Sequence, residues 1–348
     1  MNLKYLSTFT GVGAFETAMA NLGLDKGYSS CVGWSEIDPY AIKVLTDNHR
    51  QIKYRNLGDI RGIKETPDFD LLVGGSPCQD LSIAKKGRQG LSGSRSSLFW
   101  EFVRLLELKK PRYFLLENVA SMKKEDRDTI SRVLGVEPVM INAALVTAQQ
   151  RKRLFWCNWK VEQSEDRHIY LRDVLESGYT EQEKVNNLTA TYWKGNNLEN
   201  YLGMPKEGMK QHTKRPLVFE TPHRIGDIGS GAQSARIYSI NGKSVCLQSA
   251  KGDRSSTGLY LTPGGESLDY DKEKLNISMP GWSKAELKEA VDKGILVVRK
   301  LTPVECERLQ GFPDGYTDCV SNTRRYMGLG NAFCVPVIEH IIKSLCQK

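Results

Sequence analysis

No run in this chain approaches the roughly 20 apolar residues of a membrane span, and the opening MNLKYLSTF lacks the charged, apolar and small-residue succession of a secretory signal. Neither a membrane nor an exported protein is expected, and a cytoplasmic setting is the default. Histidine is scarce, with five residues, and the eight cysteines at 31, 78, 157, 246, 306, 319, 334 and 346 form no C-x-x-C and have no histidines at zinc-ligand spacing. A disulfide framework and a zinc site are therefore not expected, and the cysteines read as free thiols in a reducing compartment without metal. Internal repeats and low-complexity segments are also missing, so solenoid and tail-like architectures drop out.

What remains is an ordinary globular composition, 40% hydrophobic and 26% charged over 348 residues, enough for one large domain or a domain with a substantial insertion. The net charge of +8 is uneven. Residues 205–260 hold nine Lys/Arg against four acids, which suits a polyanionic partner and equally a solvated basic face.

The first 160 residues alternate short apolar runs with helical patterns, the signature of a doubly wound α/β domain with a parallel sheet. Strands are expected at 5–8, 31–35, 69–73, 113–116, 139–143 and 154–157, and helices at 15–22, 40–48, 98–108 and 127–134. From 161 to 298 the pattern turns polar and Gly-, Asn- and Ser-rich, with short strand-like pieces such as RIYSI and GLYLT. Helical signals return at TPVECERLQGF, where Thr302 and Glu305 stand at capping-box spacing, and an amphipathic helix over 335–345 closes the chain.

The first strand runs into FTGVGAF, in which Gly11 and Gly13 allow a tight turn and close backbone approach to a ligand. The second strand ends in WSEID, placing Glu36 23 residues after Gly13, the arrangement that hydrogen-bonds ribose hydroxyls in Rossmann-type sites. The fingerprint G-x-G-x-x-G is incomplete, because position 16 is glutamate, a poor neighbour for pyrophosphate. That favours S-adenosylmethionine over a dinucleotide, with Phe9 able to face its sulfonium. Asp59 is placed to accept from the adenine amine and Ile60 to pack on its ring, although Asp59 reads equally well as a helix cap.

Two further strands deliver GGSPCQ and LLENV to the carboxyl edge of the sheet, where ligands bind in open α/β folds. A thiol, Cys78, and a carboxyl, Glu117, thus end on adjacent strands. With FTGVGAF, GSPCQDLS, GLSGSRSSLFWEF, ENV, QQRKRLFW, LTPVECERLQGFPD and GLGNAFCVPV in this order, the chain resembles the cytosine-C5 DNA methyltransferases of the bacterial and phage type. The departures are local: Ala14 stands where a third glycine is common, and Ile37 holds the adenine-stacking position.

The resemblance implies that Cys78 attacks C6 of a cytosine, that Glu117 holds the N3/N4 edge of the base, and that Arg151 and Arg153 lie near the flipped base and its phosphate. It also implies a cofactor site that includes Ile37, Pro77, Leu98, Asn331 and Ala332, and a lid over double-stranded DNA that carries Gln79, Ser82 and Arg95. The base must be flipped out of the duplex to be reached. On this reading residues 1–160 and 325–348 form the catalytic domain, 161–298 the target-recognition domain and 299–324 a connecting helix and hinge. Arg224, Arg236 and Arg254 are candidates to read guanine edges, and Arg324 and Arg325 to reach phosphates.

A monomer is expected, in a bacterial cell or phage-infected host, either paired functionally with a restriction endonuclease or standing alone. An amino-methylating DNA enzyme would need a Pro-Pro-aromatic loop where Pro77 is followed by Cys78. The rivals are a tRNA cytosine-C5 methyltransferase, whose Cys-Phe-Thr is absent from the middle region, and an inactive DNA-binding homologue.

Overall fold

The computed structural model describes residues 3–77, 98–176, 184–186, 190 and 301–346, and the backbone of five short strands at 218–220, 224–227, 236–239, 259–261 and 297–299. The chain divides into two compact units. Met1–Val174, Lys184–Lys194 and Thr302–Lys348 make the first, and Leu175–Glu183 with Gly195–Leu301 the second.

The first unit is built on β1 (Tyr5–Thr8), β2 (Cys31–Ser35), β3 (Leu71–Gly74), β4 (Tyr113–Val119), β5 (Val139–Asn142), β6 (Gln149–Gln150), β7 (Lys152–Cys157) and β8 (Val185–Asn186). Six of them form one sheet in the order β2-β1-β3-β4-β7-β5, while β6 pairs with β8. Strands β1 to β4 are parallel, and every residue of β1, β2 and β3 is buried, as expected where helices cover both faces. The covering helices are α1 (Ala14–Asn21), α2 (Pro39–Asn48), α3 (Phe99–Lys109), α4 (Lys124–Leu134), α5 (Pro303–Gln310), α6 (Asn322–Asn331) and α7 (Val335–Cys346). This is a Rossmann-like α/β fold.

The sheet is not wholly parallel. Strand β7 inserts between β4 and β5 and runs antiparallel to both. The link 143–151 is shorter than the dozen or more residues that a parallel crossover requires, so β5 must return directly.

Local chemistry explains where the elements begin and end. Asp38 caps α2 by accepting from the backbone N–H of Tyr40 and Ala41, with Pro39 pre-set at the first helical position. Thr302 and Glu305 form the expected capping box on α5, each accepting the other's backbone N–H at 3.1 and 2.8 Å. The helix stops at Gly311 (φ +80°), where a side chain would strike Pro336.

Helix α6 has no counterpart in the sequence reading. Its segment NTRRYMGLGN carries two glycines and no apolar stripe, but a Cβ on Gly328 would stand 2.7 Å from Val12, so the glycine permits close packing of α6 on the turn after β1. The whole stretch Asn322–Cys346 is apolar enough by length and composition to cross a membrane. It is broken between α6 and α7, however, and α7 buries Val335, Val337, Ile338, Ile341, Ile342 and Leu345 within the fold.

Of residues 299–324, read from the sequence as a connecting helix and hinge, 302–324 lie in the first unit, as do 161–174. Completely buried Glu307 explains the former. It accepts from the backbone N–H of Gly315 and Thr317, from the Thr317 hydroxyl and from Arg325. Arg325, a candidate phosphate contact in the sequence reading, is mostly buried between Glu307 and Asp318. Arg324 lies over the Tyr40 ring, 4.0 Å from its centroid.

In the second unit, β9 (Val218–Glu220) pairs antiparallel with β13 (Val297–Arg299). Strand β10 (Arg224–Asp227) pairs antiparallel with β11 (Arg236–Ser239), which runs parallel to β12 (Leu259–Leu261).

Candidate active site

At the cofactor end the backbone takes three left-handed residues in quick succession, Phe9 (φ +53°), Gly11 (φ +59°) and Gly13 (φ +90°). Among the described residues nothing lies within 4 Å of where a Gly11 side chain would be, whereas one on Gly13 would meet Tyr316, His49 and Leu45. Gly11 thus borders open space and Gly13 a packed floor. Glu36, at the end of β2, organises the rim: Oε2 accepts from Gly11 N–H at 2.8 Å, and Oε1 from Ile37 and Asp38 N–H at 2.7 and 2.9 Å. A carboxylate holding three N–H groups ties the two βα turns together. Ile37 is 67% exposed beside it, an apolar surface available to a flat ligand.

Asp59 caps the short turn after Gly58 by accepting from Arg61 N–H, and the Arg61 guanidinium also grips its carboxylate. Ile60 is 3% exposed and sits in the hydrophobic core with Leu6, Phe69 and Phe102. Leu98 packs partly against the same core. Asn331 is exposed at the end of α6, and Ala332 is buried.

At the reaction end, β4 and β7 bring Glu117 and Arg153 together. Arg153 Nε lies 2.8 Å from Glu117 Oε1, and both side chains are about one-seventh exposed. Glu117, Arg151, Arg153, Phe155, Phe333 and Cys334 line one cavity. Buried Asn118 donates to Ser76 carbonyl and hydroxyl at 3.3 and 3.2 Å while accepting from Val119 N–H. It thereby fixes the segment Gly75–Pro77, which leads into position 78.

Arg151 lines that cavity and also reaches the α6–α7 turn. Its guanidinium, 4% exposed, donates to the carbonyls of Gly330 and Ala332 at 3.2 and 2.7 Å, at the end of α6 where carbonyls lack helical partners. Arg151 fastens the α6–α7 turn to the sheet. Cys78, Gln79, Ser82, Arg95 and Arg254 lie outside the described residues. Arg224 and Arg236 begin β10 and β11, with only their backbone described.

Three side-chain groupings were not read from the sequence. Thr17, His49 and Tyr316 hydrogen-bond one another beneath Gly13, and Tyr316 donates to Val12 carbonyl. Burial lowers the His49 pKa and raises that of Tyr316. Glu16, noted only as a break in a glycine pattern, is completely buried, and burial pushes its pKa up to about 7. Phe333 rests on Gly75: a side chain there would meet its ring carbons at 2.5 and 2.9 Å. The only signal for the last two was an acid and an aromatic inside otherwise apolar motifs.

The family described as C-5 cytosine-specific DNA methylase matches residues 3–347. The chain belongs to that family. It is a DNA (cytosine-5-)-methyltransferase. Among curated relatives, the orphan methyltransferase M.SPRI of Bacillus phage SPR is 26% identical over 431 residues, covering 99% of this chain and 97% of the relative. The type II methyltransferase M.NlaX of Neisseria lactamica is 29% identical over 349 residues, covering 98% and 96%. The methyltransferase also shares its fold with a mutant of Spodoptera frugiperda DNMT2, at a TM-score of 0.54 and 18% identity, with 99% of each chain covered.

Proposed function

We propose that this methyltransferase flips a target cytosine out of double-stranded DNA and methylates it at C5 through a covalent bond between Cys78 Sγ and C6, within a specific short sequence. The observation that carries the reading is the Glu117–Arg153 pair, 2.8 Å apart at the sheet edge, beside the Gly75–Pro77 segment that Asn118 ties down. That segment leads directly into Cys78 in the sequence.

The cofactor end fits S-adenosylmethionine, which supplies the methyl group when bound. Gly11 borders open space, and Glu36 already orders three N–H groups while keeping further lone pairs for ribose hydroxyls. Ile37 and Ile60 would flank the adenine, and Asp59 would accept from its amine. Phe9, Gly13, Pro77, Leu98, Asn331 and Ala332 complete the surround.

Cytosine C5 is too weak a nucleophile unaided. The Cys78 thiolate adds to C6, its electron pair forming the S–C6 bond while the C5–C6 π electrons make C5 enamine-like. Glu117 holds the N3/N4 edge and delivers a proton toward N3 as negative charge gathers there. Arg153 steadies that carboxyl and reaches the base or its phosphate with its remaining donors. After methyl transfer a base or water takes the C5 proton. The C5–H electrons restore the double bond, the S–C6 bond breaks to free Cys78, and N3 returns its proton to Glu117.

In this reading residues 161–298 recognise the target, and their basic stretch contacts phosphates. Gln79, Ser82 and Arg95 approach the flipped base, while Arg224, Arg236 and Arg254 approach base edges. The enzyme acts as a monomer.

Two experiments test this. A duplex with 5-fluorocytosine at the target, incubated with the enzyme and S-adenosylmethionine, is expected to become covalently linked to Cys78, and Cys78→Ala to abolish the link. Bisulfite sequencing of DNA from cells expressing the chain is expected to show 5-methylcytosine at one recurring site. Methyl transfer to tRNA with none to DNA, or adducts that persist in Cys78→Ala, would overturn the reading.

A further inference from the structure

The turn between α6 and α7 spans both ends of the site. Asn331 and Ala332 belong to the proposed cofactor surround, and the next residue, Phe333, crosses to the reaction end. Its ring lies so close to Gly75 that a Cβ there would stand 2.5 Å from Cε1 and 2.9 Å from Cζ, distances that side-chain carbons do not adopt. The same point is 3.3 Å from Glu117 Oε2. The ring is therefore wedged against the main chain that leaves β3, alongside the carboxyl of β4. The wedge is itself held, because Arg151 grips the carbonyls of Gly330 and Ala332 on its N-terminal side. Cys334, directly after it, is buried.

We infer that Phe333 is a positioning residue for methyl transfer. The ring fixes the spacing between the Gly75–Pro77 backbone, and so the approach of Cys78, and the Glu117 carboxyl that holds the base. The inference rests on the proposed roles of Cys78 and Glu117. Three features converge on it: Gly75 is required by the ring, Glu117 is adjacent to it, and the turn that carries it is clamped by a buried guanidinium. A ring serving only as core filler would need neither a glycine beneath it nor a place in the lining of the Glu117–Arg153 cavity. Because misplacement of reacting groups by about 1 Å can cost on the order of 100-fold in rate, the effect is expected in turnover rather than in cofactor binding.

The test compares Phe333→Leu, Phe333→Ala, Gly75→Ala and the double variant Gly75→Ala/Phe333→Ala with the wild type. Readouts are kcat, KM for S-adenosylmethionine, and the rate of covalent capture by a 5-fluorocytosine duplex. Phe333→Ala is expected to lower kcat and the capture rate by roughly 10- to 100-fold while KM changes less than about threefold, with Phe333→Leu intermediate. Gly75→Ala is expected to be nearly inactive, and removing the ring in the double variant to raise its activity by about 10-fold or more, the signature of direct coupling. Unchanged kcat in a folded Phe333→Ala protein, or a double variant no more active than Gly75→Ala alone, would overturn the inference and leave the proposed function intact. A wild type that neither methylates DNA nor captures the duplex would instead sink the reading beneath it.

Discussion

Arg153 Nε stands 2.8 Å from Glu117 Oε1, on antiparallel neighbouring strands, with only about one-seventh of either side chain exposed. The register explains the meeting: Glu117 faces Phe155 across β4 and β7, and Arg153 faces Val119, so both side chains project from the same face two residues apart. A pair so enclosed is sensitive to removal of either member. Glu117→Gln is expected to lower kcat by at least about 100-fold, as loss of a proton-handling group does. Arg153→Ala should cost roughly 10- to 100-fold, and Arg153→Lys less, since it keeps the charge but not the planar fork. Single-turnover methyl transfer measures all three, and a fully active Arg153→Ala would reduce the pair to a structural contact.

Arg151 lies two residues away and does different work. Its guanidinium satisfies two carbonyls at the end of α6 from a site that is 4% exposed. Truncation to alanine is expected to destabilise the protein by about 3 kcal/mol, the scale of losing charged hydrogen bonds inside a fold. Lysine, which keeps the charge and three donors but has a shorter reach and no planar fork, should recover part of it. Urea unfolding of the three proteins decides the matter, and an unchanged midpoint for Arg151→Ala would refute the clamp.

Much of this arrangement was legible in the sequence because it is local. Apolar runs of four or five residues gave β1 and β2 to the residue, and Thr302 with Glu305 gave the start of α5. Gly11 and Glu36, 25 residues apart, follow a spacing set by one βαβ unit and do meet. What escaped is non-local. The insertion of β7 between β4 and β5 depends on which strands it lies against, and α6 packs where it does because Gly328 fits against Val12, more than 300 residues earlier. Strand alternation put Arg151 and Arg153 on one face, but alternation gives no reach, and only the position of α6 shows which carbonyls Arg151 serves. Phe333 is hidden for the same reason, since its meaning lies in Gly75.

Glu36 offers a separate test of the cofactor end. Its carboxylate holds the N–H groups of Gly11, Ile37 and Asp38, so its loss should both unfasten the glycine turn and remove ribose acceptors. Glu36→Ala is expected to weaken S-adenosylmethionine binding by about 10-fold or more, measured by titration calorimetry, with retention of DNA binding. Wild-type affinity for the cofactor in this variant would remove Glu36 from the site.

Glu16 sets a pH dependence that has nothing to do with DNA. It is wholly buried on α1 near Ser7, and its pKa is pushed from 4.5 up to about 7, chiefly by burial. Because the folded value lies above the unfolded one, the native state holds an extra proton between these limits. The contribution of Glu16 to stability is therefore full below about pH 4.5 and is lost as pH rises through 7. The loss amounts to roughly 3 kcal/mol as an order of magnitude, since each tenfold difference in proton affinity between the folded and unfolded chain is worth about 1.4 kcal/mol. Glu16→Gln cannot ionise, so it should equal or trail the wild type at pH 5 and exceed it at pH 8 by up to that amount. Urea unfolding of both proteins at pH 5, 6, 7 and 8 is the measurement, and two parallel stability profiles would show that Glu16 does not titrate in this range.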